Sequence, residues 1–169
     1  MRRPGAFWAN AADLTRRARP RPVRLASKSV RCRSLQAAVL ERAAGFRGTR
    51  CFTLPEALWL SGHGFDDLLV AYPSADRAAL DDLGRLRATR PESRITVVVD
   101  SREHLGLIEA AAARVLGAPV RVCIDVDLSL RALGGRLHFG ARRSPCARPS
   151  RRSRSRTRSS PGPGSSSSA

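Results

Sequence analysis

Lysine is all but missing from this chain of 169 residues. Of its 31 cationic side chains only Lys28 is a primary amine, and the other thirty are arginine. Ammonium and guanidinium serve equally as surface charge, so charge alone gives no reason for the exception. Long apolar runs are missing too: no stretch approaches the roughly 20 residues that a membrane-spanning helix needs, and no membrane role is expected. The N-terminus, MRRPGAFWANAADLTRRARP, starts basic but has no apolar core, which excludes a secretory signal. It is also too poor in serine for an organelle transit peptide. The four cysteines, Cys32, Cys51, Cys123 and Cys146, form no CxxC pair. Cys51 and Cys123 lie in apolar runs, where cysteine behaves as a small hydrophobe. A reduced, cytoplasmic protein is the expectation. No metal-ligand spacing is present, and no metal is expected.

The formal charge of +17 points at first to nucleic acid or an acidic surface. Its distribution argues otherwise. Residues 1–24 carry seven arginines against Asp13, a net +6, and residues 141–169 carry eight arginines and no acid, a net +8. Between them, residues 25–140 hold sixteen cations and thirteen acids, only +3. The basicity sits in the two ends, and the middle has an ordinary globular balance.

That middle alternates in period. Strands are expected at 22–29, 48–54, 66–73, 94–100 and 119–128. Helices are expected at 34–46, 55–64, 75–89 and 101–117, with Pro55 in the first turn of one and Ser101 capping another. The run RITVVVD (94–100) is apolar throughout, as in a strand buried on both faces. Strands alternating with helices at this spacing imply parallel βαβ units. The open doubly wound sheet and the (β/α)8 barrel both satisfy the pattern. No GxGxxG follows the first strand, which lowers the dinucleotide-binding version. In either architecture chemistry collects at the carboxyl ends of strands, where Lys28, Thr53, Tyr72, Asp100 and the pair Asp125 and Asp127 fall.

Only an amine, not a guanidinium, loses its proton at accessible cost and condenses with a carbonyl. Lys28 at a strand end is therefore a candidate Schiff-base former, against the reading of a stray lysine in GC-rich coding. The segments AFWANAADLTRRA (6–18), RPVRLASKSVRC (21–32) and GFRGTRCFTLPEALWLSGHGFDDLLVAYP (45–73) carry a resemblance, continued in ITVVVDSREHLGLI (95–108) and VRVCIDVDLSLRALGGRLHFGARRSP (120–145). In this order they resemble the alanine-racemase-like N-terminal barrel of fold-type III pyridoxal-phosphate enzymes. The similarity leans to the branch of D-threonine aldolase, D-serine dehydratase and amino acid deaminase. The fold it implies is a partial TIM (β/α)8 barrel of about five parallel βα units. Residues 1–21 would be a basic arm with a short helix, 22–145 the partial barrel and 146–169 a disordered tail.

By that resemblance, Lys28 holds pyridoxal 5′-phosphate as a Schiff base and doubles as the catalytic acid or base at the substrate Cα. Tyr72 would pack beside the cofactor, unless it is a core or interface tyrosine. Arg136 would orient cofactor or substrate, with a solvated loop arginine as the alternative. Asp125 and Asp127, two apart on a strand, would share one face and line the barrel mouth, or else cap the next turn. His63 and His104 read as structural or exposed.

The resemblance stops after RRSP (142–145), where such enzymes continue through three more βα units and a β-domain. The segment that follows has no Leu, Ile, Val or aromatic residue and reads as disordered. It is expected to be a frame-shifted reading of a GC-rich gene, which the nucleotide sequence beyond codon 145 would decide. The expected function is a truncated pyridoxal-phosphate enzyme acting on an amino acid as racemase, aldolase or deaminase (an isomerase or lyase) and short of full activity. Open sheet edges would favour self-association. The alternative is non-specific nucleic-acid binding through RRSRSRTRSS (151–160). No specific nucleic-acid partner is expected.

Overall fold

Helix starts in this protein are marked by side chains that accept from the first free backbone N–H groups. In the computed structural model, which describes residues 4–115, 119–132, 137–140 and 144–146, three such caps stand out. Thr53 accepts from the Glu56 N–H at 3.3 Å, Asp76 from Ala79 at 3.1 Å, and Ser101 from His104 at 3.3 Å. They open α3 (Leu54–Gly62), α4 (Arg77–Thr89) and α5 (Arg102–Val115). Helix α1 (Pro4–Ala18) starts the chain, and α2 (Arg33–Arg42) lies between β1 (Val23–Ala26) and β2 (Phe46–Cys51). Strands β3 (Leu68–Val70), β4 (Ile95–Val99) and β5 (Arg121–Ile124) complete the alternation. The described residues fall into two compact units, divided between Asp125 and Val126.

In the first unit the five strands pair in chain order, β1-β2-β3-β4-β5, and every pairing is parallel. Right-handed crossovers without a reversal of strand order put all connecting helices on one face. A doubly wound sheet needs such a reversal. The architecture is therefore a partial (β/α)8 barrel. Alternation along the strands sends Cys51, Leu68, Val70, Ile95, Val97 and Val99 to the helix side. There they close on Leu54, Ala57 and Leu60 of α3, Leu80 and Leu83 of α4, and Ile108 and Ala111 of α5. On the inner face Arg50 is exposed and Leu69 and Thr96 half-buried, while Val98 is 9% exposed. The run at β4 is thus covered on both faces, as its composition implies.

Helix α1 extends well beyond a short helix in a basic arm. Its Phe7, Trp8 and Ala11 join Val23, Leu25, Val39 and Phe46 in a second apolar cluster. A bulge in β2 accompanies this packing: Val23 pairs with Phe46 and Leu25 with Thr49, so β2 spends one extra residue. Gly48 occupies it at φ +67°. Beside it Arg24 reaches Asp67 at 2.8 Å, with a second bond to the Asp67 carbonyl. Nearby, Arg94 holds the Asp66 carboxyl below its usual range, chiefly by side-chain hydrogen bonding.

The second unit contains an antiparallel pair that the periodicity did not reveal, β6 (Leu130–Ala132) with β7 (Leu137–Phe139). Strand β5 ends at Ile124, so Asp125 and Asp127 do not share a strand face. Asp125 continues the ladder through its N–H to Val99 O at 2.8 Å. Asp127 is buried and turns the chain, accepting from the Ser129 N–H at 2.9 Å and from the Ser129 hydroxyl. Of the two readings offered for the pair, Asp127 takes the turn cap. Cys123 also departs from expectation: it is exposed, while Cys51 is fully buried. Arg136, the Gly117 helix stop and residues 147–169 lie outside the described residues. Among the described residues no helix is long and apolar enough to cross a membrane.

Candidate active site

The carboxyl ends of the parallel strands set the site. Strand β1 stops at Ala26, earlier than its β-forming composition implies. The N–H groups of Ser29 and Val30 bend back to the Ala26 carbonyl at 3.0 and 3.2 Å and close a turn over residues 27–29. Lys28 is the exposed middle residue of that turn, while Ser27 is fully buried. The lysine chain leans toward the next strand end, with Nζ 4.5 Å from the centroid of the Phe52 ring. A cation over an aromatic face is worth about 0.5–1 kcal/mol at an exposed site, enough to bias where the amine rests.

Phe52 follows β2 directly and is itself packed edge-on against Tyr72, centroids 5.8 Å apart. Arg50 brings its guanidinium to 5.9 Å from the Tyr72 ring. Lys28 and Tyr72, both expected near the site, therefore meet through an aromatic residue that the sequence reading passed over. An open cleft of about 420 Å³ adjoins them, lined by Phe52, Thr53, Pro55, Tyr72, Ser74 and Asp76. A larger hollow of about 600 Å³ lies at the other, N-terminal end of the strands, between Glu41, Arg47, Asp66 and Arg94. It is remote from the strand tips, where parallel sheets collect their chemistry.

Glu56 is the other residue that sequence reasoning missed. Its carboxylate accepts from the Phe52 N–H at 2.7 Å and from the Ser27 hydroxyl at 2.9 Å. The signal was present as Thr53-x-x-Glu56, the spacing of a capping box. At the end of β4, Asp100 bonds His104 Nδ1 at 2.6 Å, and both are largely buried. His63 donates from Nδ1 to the Trp59 carbonyl at 2.8 Å and closes α3, a structural role. Burial, reinforced by the Glu56 carboxylate, pushes the Cys51 thiol up to about 12, which removes it as a nucleophile. Among the described residues no cluster of three or more His, Cys, Asp or Glu side chains could hold a metal ion.

Comparison with known proteins bears on this arrangement. The family model described as alanine racemase, N-terminal domain, matches residues 3–141. No curated protein matches the chain. Among solved structures, the D-threonine aldolase from Filomicrobium marinum superposes with a TM-score of 0.57 at 22% identity. The match covers 80% of this chain and 34% of the aldolase, so the chain spans about a third of that protein's length.

Proposed function

Because the chain belongs to the alanine racemase N-terminal domain family, whose enzymes depend on pyridoxal phosphate, we propose that Lys28 is the cofactor-attachment residue of an enzyme acting on amino acids. The reaction class proposed is racemisation, aldol cleavage or deamination. The observation that carries the reading is the position of the Lys28 ammonium, over Phe52 at the carboxyl end of the first strand.

The residues present fit the cofactor on three counts. The amine is exposed and thus open to an aldehyde. The Phe52 and Tyr72 rings offer an apolar bed beside it for a flat heteroaromatic ring. Arg50 brings positive charge to the same rim, the sign a phosphate ester requires. In this proposal Lys28 attaches the cofactor, Tyr72 packs beside it, and Arg136 helps orient cofactor or substrate. Bound pyridoxal phosphate supplies an electron-withdrawing ring that stabilises negative charge at the substrate Cα. The chain's own contribution there is the Lys28 amine, a base able to hold the Cα proton. The step proposed for this chain, which spans about a third of the aldolase's length, is attachment of the cofactor at Lys28.

The test is incubation of the full chain with pyridoxal 5′-phosphate, then borohydride, then peptide mass mapping. One pyridoxyl group on the Lys28 peptide is expected, and none there in Lys28→Ala. Absence of that adduct from the wild-type chain would overturn the proposal.

A further inference from the structure

We infer that Glu56 is a positioning residue for Lys28, acting through one carboxylate oxygen that ties the Lys28 turn to the residue beneath its ammonium. The inference rests on the reading of Lys28 just given. Two donors from different strand ends converge on Glu56 Oε2: the Ser27 hydroxyl at 2.9 Å and the Phe52 N–H at 2.7 Å. Ser27 immediately precedes Lys28 and is fully buried, so the base of the lysine is held from inside the protein. Phe52 carries the ring on which Nζ rests at 4.5 Å. Both ends of the lysine's placement thus depend on a single acceptor.

Helix capping alone does not account for this geometry. In a capping box the glutamate reaches back to the N–H of the cap residue, here Thr53. Glu56 instead takes the N–H of Phe52, one residue earlier, and adds a donor from β1's end that no helix start requires. The Ser27 hydroxyl also lies 3.3 Å from the Arg50 carbonyl, but its one proton favours the closer, charged acceptor. Hydrogen bonds to a carboxylate are short and directional, which suits it to fix the register between two adjacent strand tips.

Because Lys28 is the sole lysine, peptide mapping separates its reactivity from that of the N-terminal amine. The full chain is treated in parallel with pyridoxal 5′-phosphate plus borohydride and with acetic anhydride, and each rate is measured on the Lys28 peptide. The ratio of the two rates reports placement, since the anhydride needs only an accessible amine. Glu56→Ala is expected to lower the ratio roughly ten-fold, as a misplaced reacting group does. Glu56→Gln keeps an acceptor oxygen and should restore most of it. Ser27→Ala cuts only the Lys28 side of the link and should give a smaller fall; it carries the test if circular dichroism shows Glu56→Ala unfolded. A wild-type ratio retained in folded Glu56→Ala, or in Ser27→Ala when that variant carries the test, overturns the inference while leaving Lys28 as the attachment site. A wild-type chain whose Lys28 shows no preference for the phosphate aldehyde overturns both.

Discussion

A cysteine and a phenylalanine adjacent in sequence, Cys51 and Phe52, face opposite ways at the tip of β2, and their fates follow from that. Cys51 points among the helices and is sealed, with its thiol raised to about 12. Phe52 points to the open side and is 44% exposed, available to Lys28. Cys32 contrasts with Cys51. It is exposed just ahead of α2, and hydrogen bonding by the Ser34 hydroxyl, then by the Leu35 N–H, draws its thiol below the usual range. Thiolate supply governs alkylation. Iodoacetamide at neutral pH should therefore modify Cys32 well ahead of Cys51, which should resist until the chain is unfolded. Peptide mapping of a time course decides it, and equal native rates at the two sites would contradict the burial.

At the scale of elements, the six residues of β2 do two jobs. The strand's bulge keeps both Phe46 and Thr49 buried on the helix side, and its end presents Phe52. Gly48 permits the bulge. Its φ of +67° strains any L side chain, and a Cβ there would run into Arg24 Nη1 and the Asp67 carbonyl. Gly48→Ala should cost about 2 kcal/mol from backbone strain, with displacement of the Arg24–Asp67 pair adding to it. Urea denaturation should show a lower midpoint at unchanged slope. A variant as stable as the parent would mean that the bulge relaxes without penalty.

For the whole molecule, the sheet's ends matter most. Among the described residues β1 pairs with β2 alone and β5 with β4 alone. All four residues of β5 are exposed, including Val122 at 45% and Ile124 at 65%. An exposed edge strand is a template for another chain. The protein is expected to self-associate through it, with sedimentation that depends on concentration. Ile124→Lys, a charge on that edge, should shift the distribution toward monomer. A wild-type chain that sediments as monomer at every concentration would rule this edge out as an interface.

Much of this was legible in the residues because it is local. Helical spacing, caps such as Ser101 and the alternation of strands with helices depend on neighbours a few positions apart. They placed five strands and four intervening helices in order and put Lys28 at a strand tip. What stayed hidden needed distant partners. The chain-order pairing that separates a barrel from a doubly wound sheet depends on hydrogen bonds between strands about 20 residues or more apart. Burial of Cys51 and exposure of Cys123, two cysteines in similar apolar runs, depend on which strand has neighbours on both sides. The β6–β7 pair is too short to leave a period. The link from Glu56 to Ser27 joins residues 29 apart. The sequence alone determined the order of elements and the single side-chain amine available for covalent chemistry. Only the tertiary structure decided what holds that amine, because its supports come from separate strands that meet on folding.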